Sequence, residues 1–125
     1  MIRRQHAALI RRDNTLSVAT IPTQPPRARE VLIAPAFVGV CGTDLQILNG
    51  ARPDIAEILG HEGSGVVVEA GGGAPLEVGD HVVFNPAAEL HSDRILGHNT
   101  PGLFQQLITV SARSLERGLI MRAER

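Results

Sequence analysis

Glycine and proline interrupt this chain so often that a long, uninterrupted helix does not fit within it. The 125 residues include 13 glycines and 8 prolines, and the apolar runs between them are short. One run, 43–48, is typical of a short helix, and the others favour strands. The predicted strands are 7–10, 16–21, 31–40, 65–70, 81–84 and 104–110. The pattern indicates a mainly β fold, a small barrel or sandwich with one or two short helices.

Pro35 lies inside the predicted strand 31–40. Proline cannot donate a hydrogen bond to a neighbouring strand, so we predict that this strand lies at a sheet edge or is bulged at Pro35. The chain has only three aromatic residues. Its core must therefore be built mainly from valine, isoleucine, leucine and alanine.

Length and composition restrict the class of protein. A chain of 125 residues is the size of one domain, which we place at 1–125. The 12 basic residues are balanced by 13 acidic ones and are not interleaved with aromatic side chains, so we expect no nucleic-acid partner. No apolar run approaches the roughly 18 residues of a membrane span, and the N-terminus does not resemble a signal peptide. We therefore expect a cytoplasmic protein without a membrane partner.

Two glycine clusters, GHEGSG at 60–65 and GGG at 71–73, are candidates for phosphate-binding loops. Neither has the G-x-G-x-x-G spacing, and neither lies between a strand and a long helix. We interpret both as backbone turns. The chain also lacks room for several βαβ units, so we predict no Rossmann domain and no cofactor-binding residues of its own.

The chain's single cysteine, Cys41, lies in the segment GVCGTD. A lone cysteine is most often a small buried residue, and a lone His61 is most often a hydrogen-bonded histidine. With Glu62 they offer a thiolate, an imidazole and a carboxylate, which are the donor types that zinc takes. Each lies in a glycine-flanked turn that allows close approach of the backbone. This combination predicts a metal site.

Three blocks carry a family resemblance: GVCGTDLQILNG at 39–50, ILGHEGSGVVVEAGGG at 58–73 and LEVGDHVV at 76–83. In this order they resemble the GroES-like catalytic domain of the zinc-dependent medium-chain dehydrogenase/reductase family, the alcohol and polyol dehydrogenases. The resemblance implies a GroES-like, partly open small β-barrel. It also implies an oxidoreductase that acts on a small-molecule alcohol or carbonyl.

The resemblance implies roles for five residues. Cys41 and His61 match ligands of the catalytic zinc, and Glu62 matches a glutamate that binds zinc in the polyol enzymes and stays nearby in the alcohol dehydrogenases. Thr43 matches the hydroxyl that binds the substrate alcohol and starts the proton relay. Asp44 matches the carboxylate that holds the zinc-bound histidine by its other ring nitrogen.

The chain departs from the family pattern in several places. It has no four-cysteine lobe, so no structural zinc is expected, and we interpret His91, Asp93 and His98 in that stretch as ordinary surface residues. His81, where the family usually has arginine, is interpreted as a surface strand residue. The third zinc ligand of alcohol dehydrogenases lies beyond Arg125 in sequence order, so only Glu62 would complete a three-residue site.

The family's cofactor domain would also begin beyond this chain. NAD(P) is therefore expected only through a missing or separate domain, and we do not expect hydride transfer by this chain alone. The segment that returns to the catalytic domain after the cofactor domain is missing too. The apolar surface left uncovered would favour a separate cofactor-domain chain or self-association.

Three functions remain open at the level of sequence. The first is a catalytic domain, either a fragment or one half of a split dehydrogenase, with a slight preference for polyols. The second is a stand-alone GroES-like binding or assembly module without catalysis. The third is a metal-dependent hydratase or isomerase that uses zinc as a Lewis acid.

Overall fold

The computed structural model describes residues 4–13, 15–50, 56–85, 96–98 and 100–123. Within these ranges the chain forms seven strands and two short helices. In chain order they are β1 (Gln5–Arg12), β2 (Thr15–Pro22), β3 (Val31–Val38), α1 (Gly42–Leu48), β4 (Gly63–Ala70), β5 (His81–Phe84), β6 (Ile108–Val110), α2 (Ala112–Glu116) and β7 (Ile120–Arg122). No helix in the described ranges is both long enough and apolar enough to cross a membrane.

Five strands form an antiparallel sheet in the order β6-β3-β4-β5-β7. β3 is an inner strand, and its pairing with β4 shifts register between Leu32 and Ile33 and again between Pro35 and Phe37. β6 pairs only with 31–33, so Pro35 lies beyond that ladder. Of the two alternatives predicted for Pro35, the structure has the bulge.

The main hydrophobic core is aliphatic, as the shortage of aromatic residues predicts, and Phe84 is its only aromatic member among the described residues. The strands contribute alternate residues, which fits their two-residue period. Its buried members are Val31, Ile33, Val67, Leu76, Val82, Phe84, Leu96, Leu103, Ile108, Val110 and Leu119.

β1 and β2 form a separate antiparallel hairpin, paired from Gln5 with Pro22 to Arg12 with Thr15. The sequence predicts strand 16–21 correctly, but not all of the apolar residues of this strand are buried. Leu16 and Val18 are exposed, whereas Ala19 and Ile21 pack against the small cluster of Ala8, Ile10 and Ile58. The other edge of β1 forms backbone hydrogen bonds with the chain around Phe104, so β2 is the outer strand of the hairpin.

A buried histidine connects the hairpin to the segment around residue 105. The ring nitrogens of His6 lie 2.7 Å from Thr23 Oγ1 and 2.7 Å from Gln105 Oε1. Gln105 Nε2 in turn donates to the carbonyl oxygen of Gly102 at 2.8 Å. Both nitrogens of this buried ring are thus hydrogen-bonded, which is what burial of a polar side chain requires.

The C-terminal part contains more structure than the sequence predicts. The strand predicted at 104–110 is shortened to Ile108–Val110. α2 follows, and its N-cap Ser111 accepts a hydrogen bond from the backbone N–H of Ser114 at 3.1 Å. The short strand β7 then pairs with β5. His81 is exposed at the first position of β5, which confirms its interpretation as a surface strand residue.

Candidate metal centre

Cys41 is the N-cap residue of α1, with extended backbone angles. The side chain of Asp44, three residues on, accepts the Cys41 backbone N–H at Oδ2 over 3.0 Å. The Asp44 backbone N–H donates to the Cys41 carbonyl oxygen at 3.1 Å. An acidic residue at the third helical position that bonds back to the N-cap is half of a capping box. The sequence CGTD thus holds the thiol at a fixed helix start.

His61 is positioned by the glycine that precedes it. Gly60 has a φ of +100°, which favours glycine over residues with a side chain. Its carbonyl oxygen accepts the backbone N–H of Leu103 at 2.9 Å, and the Phe104 N–H donates to Leu59 at 3.0 Å. A Cβ atom built on Gly60 would lie 3.1 Å from the Leu103 backbone nitrogen. The segment 59–60, directly before His61, is therefore closely packed against the segment 103–104, which is distant in sequence.

The structure brings Cys41, Asp44 and His61 together. The Sγ atom of Cys41 lies 3.3 Å from Nε2 of His61, and the opposite ring nitrogen, Nδ1, lies 3.7 Å from Oδ1 of Asp44. Among the described residues these three form a group, hereafter the metal group, whose donor atoms all lie within 4.8 Å of one another. The imidazole thus lies between a thiol on one side and a carboxylate on the other.

This group fits a metal ion better than it fits an ordinary polar cluster. Asp44 is fully buried, yet its Oδ1 atom and the Nδ1 atom of His61 are buried without a hydrogen-bond partner. Native structures leave few such atoms, because each costs desolvation free energy. A cation bound by sulfur and Nε2 would orient the ring and make Nδ1–H a donor to Asp44. The donor types, sulfur and imidazole nitrogen, suit zinc.

Thr43 and Glu62 are placed differently. Thr43 is half-buried in the first turn of α1, next to Asp44 in sequence. Glu62 is exposed and lies outside the group of converging donor atoms. Its carboxylate is directed at Gly39, where an added Cβ would lie 2.7 Å from Glu62 Oε1. In this arrangement the Glu62 side chain lies against Gly39, which follows the last residue of β3.

His98 lies beside His61, a contact that the sequence does not predict. Its ring packs edge-on against the ring of His61, with 5.1 Å between ring centroids and 77° between ring planes. The interpretation of His98 as an ordinary surface residue is therefore wrong, since it is half-buried beside the metal group. No spacing in the sequence indicates this contact. His91 and Asp93, named with it, lie outside the described residues.

Several apolar side chains that are close in sequence to Cys41 and Asp44 are exposed. Phe37 is 78% exposed, Val40 64% and Leu45 58%. The first two come shortly before Cys41 in sequence, and Leu45 follows Asp44 on α1.

The family model "Alcohol dehydrogenase GroES-like domain" matches residues 27–118. The chain belongs to this family. The match includes both segments that build the metal group and confirms the resemblance carried by the three sequence blocks. It also confirms the predicted mainly β, GroES-like fold.

Curated relatives of this alcohol dehydrogenase GroES-like domain are dehydrogenases. A 2-dehydro-3-deoxy-L-galactonate 5-dehydrogenase from Pseudoalteromonas atlantica is 37% identical over 110 residues, which cover 74% of this chain and 32% of that protein. An S-(hydroxymethyl)glutathione dehydrogenase from Escherichia coli is 45% identical over 71 residues, covering 54% and 19%. The chain thus spans about a third or less of the length of these relatives.

Among solved structures, the 2R,3R-butanediol dehydrogenase from Bacillus subtilis is similar to this domain with a TM-score of 0.77 and 25% sequence identity. The match covers 97% of this chain and 41% of that one. Nearly the whole GroES-like domain therefore superimposes on one part of a longer enzyme.

Proposed function

We propose that this chain is the zinc-binding catalytic domain of an alcohol or polyol dehydrogenase, either a fragment or one half of a split enzyme. The observation that carries the proposal is the 3.3 Å separation of Cys41 Sγ and His61 Nε2. A sulfur and an imidazole nitrogen this close offer two donors to one ion. The proposal treats 1–125 as one domain and keeps the cytoplasmic location expected from the sequence.

In this proposal Cys41 and His61 hold the zinc ion. When bound, zinc supplies a Lewis acid that lowers the pKa of a coordinated hydroxyl group, as it lowers that of water from 15.7 to about 7. Asp44 accepts the Nδ1–H of His61 and so fixes its tautomer and ring orientation. Thr43 binds the substrate hydroxyl and accepts its proton at Oγ1 as the first group of a relay to solvent.

NAD(P), held elsewhere, would supply the acceptor for the hydride that leaves the alcohol carbon as this carbon is oxidised to a carbonyl. The chain spans only 41% of the butanediol dehydrogenase structure, and we propose that a separate or missing domain supplies NAD(P). The relatives named above are a 2-dehydro-3-deoxy-L-galactonate 5-dehydrogenase, an S-(hydroxymethyl)glutathione dehydrogenase and a 2R,3R-butanediol dehydrogenase. We therefore propose a small alcohol or carbonyl compound as substrate, with polyols as the first compounds to assay.

The test is the zinc content of the 125-residue chain, purified without chelator and measured by atomic absorption. We expect about one zinc ion per chain, lost in Cys41→Ala and in His61→Ala. His81→Ala is the matched control, since His81 is an exposed histidine on β5, and it should retain zinc. Circular dichroism establishes that each variant is folded.

Two results would contradict the proposal. A well-folded chain that stays free of metal at excess zinc would favour the alternative, a GroES-like binding or assembly module without catalysis. Zinc retained in both the Cys41 and His61 variants would show that the metal binds elsewhere.

A further inference from the structure

The loop that carries His98 is packed against the segment that carries His61. The carbonyl oxygen of His98 accepts the backbone N–H of Ala56 at 2.8 Å. A Cβ atom on Gly97 would lie only 2.5 Å from the carbonyl oxygen of Gly60. The backbone before His98 is thus in direct contact with the backbone before His61, so main-chain contacts hold the two histidines side by side.

The ring of His61 is only loosely held by its two polar neighbours. Its Nδ1 atom lies 3.7 Å from Asp44 Oδ1, which is longer than an N–H···O hydrogen bond of about 2.7–3.2 Å. Both of these atoms are buried without a hydrogen-bond partner. On the other side of the ring, Nε2 lies 3.3 Å from the Cys41 sulfur. One contact at one ring atom does not fix the plane of a ring that turns about its Cβ–Cγ bond.

The ring of His98 supplies the missing restraint on the plane of the His61 ring. The two ring centroids are 5.1 Å apart and the ring planes meet at 77°. Aromatic rings prefer such edge-to-face pairs at about 4.5–7 Å, because the positive edge of one ring meets the negative face of the other. A turn of the His61 ring about its Cβ–Cγ bond would break this arrangement. The His61 side chain is only 14% exposed, so the contact is largely shielded from water.

We propose that His98 is a positioning residue of the metal group. Its ring holds the His61 imidazole in the orientation in which Nε2 faces Cys41 and Nδ1 faces Asp44. This inference rests on the proposed function. His98 lies outside the group of converging donor atoms, so it acts through His61 and gives the ion no donor atom. The apparent affinity for a cation is proportional to the fraction of chains that hold the binding orientation, and His98 raises this fraction.

The first test is the zinc affinity of the 125-residue chain, measured by competition with a chromophoric chelator. An edge-to-face pair changes an equilibrium constant by about 2–12-fold, so we expect His98→Ala to lower the zinc affinity about 3–10-fold. His98→Phe keeps an aromatic ring but has no donor atom, so its affinity should stay within about twofold of the parent chain. The control His81→Ala changes an exposed histidine on β5 and should stay within the same limit.

Two spectroscopic measurements separate positioning from a general effect on the fold. With zinc removed by EDTA, 13C relaxation of the His61 ring should show larger ring motion in His98→Ala and the parent motion in His98→Phe. With cobalt(II) at saturation, the visible absorption spectrum of His98→Phe should match that of the parent chain, because the donor atoms around the ion are unchanged. Circular dichroism establishes that both variants are folded.

The proposal would be overturned if His98→Ala bound zinc as tightly as the parent chain, or if the His61 ring moved no more in this variant than in the parent. It would equally be overturned if His98→Phe bound zinc as weakly as His98→Ala, or if its cobalt spectrum changed. The proposed function fails on a different result, which is zinc retained by both Cys41→Ala and His61→Ala.

Discussion

Two buried aspartates of this chain begin from the same local structure and end in different surroundings. Asp44 and Asp80 each accept the backbone N–H of the residue three positions earlier, Cys41 at 3.0 Å and Glu77 at 2.9 Å. Each also donates its own backbone N–H to that residue's carbonyl oxygen, at 3.1 and 3.0 Å. In both places one carboxylate oxygen closes a turn.

The second oxygen distinguishes the two sites. In Asp80 it lies 3.6 Å from Nε of Arg122, an exposed cation on β7. In Asp44 it is buried without a hydrogen-bond partner and faces His61 Nδ1 at 3.7 Å. The Asp80 turn is therefore complete in the folded chain, whereas the Asp44 turn leaves acceptor capacity for a protonated ring nitrogen. We propose that this difference separates a structural turn from a turn that supports a metal ligand.

The largest effect that tests this comparison is on zinc affinity. We expect Asp44→Asn to lower it about 10–100-fold, because the amide cannot hold His61 as a carboxylate does. Asp80→Asn should leave the affinity within about twofold. Competition with a chelator measures both. Equal losses in the two variants would mean that Asp44 acts only on the fold.

The glycines that precede His61 and Asp80 offer a second matched pair. Gly60 has a φ of +100° and Gly79 a φ of +94°, so alanine should cost about 1–2 kcal/mol of unfolding free energy at either position. The Cβ of Gly60→Ala would also approach Leu103, whereas that of Gly79→Ala meets nothing within 4 Å.

The two glycine variants should therefore differ in metal binding. We expect Gly60→Ala to displace His61 and to lower zinc affinity several-fold, while Gly79→Ala changes stability alone. Urea unfolding and chelator competition provide the two measurements. A Gly79→Ala variant that binds zinc as poorly as Gly60→Ala would refute this account of His61 positioning.

The smallest effect is on the stability of the chain kept free of zinc by chelator. Replacing Asp44 by Asn removes a buried charge with an unsatisfied oxygen, so unfolding free energy should stay constant or rise by up to about 1 kcal/mol. Asp80→Asn loses its interaction with a largely exposed arginine and should fall by less than about 1 kcal/mol. Urea unfolding with EDTA measures both. A clear loss in Asp44→Asn would contradict the comparison.

Local sequence signals predict the parts of this structure that depend on local chemistry. The GVCGTD segment gives an N-capped helix because Asp44 bonds to the backbone of Cys41, and valine-rich runs give β4 and β5. Pro35 produces a bulge because it lacks an N–H group. The family resemblance brings Cys41 and His61 into one hypothesis, although 20 positions separate them.

The remaining features depend on contacts that are distant in sequence. The inner face of β2 is determined by the cluster that it meets, so Val18 is exposed despite its apolar side chain. The direction of Glu62 depends on its contact with Gly39, and the position of His98 depends on how Gly97 packs on Gly60. Alternation and residue spacing carry no information about these packing events.

X-ray absorption at the zinc edge of the loaded 125-residue chain tests the central claim most directly. A site held by Cys41 and His61 predicts one sulfur neighbour at about 2.3 Å and nitrogen or oxygen neighbours at about 2.0–2.1 Å. The sulfur neighbour should be absent from Cys41→Ala reconstituted with excess zinc. A spectrum of the parent chain with only nitrogen and oxygen around zinc would contradict the account.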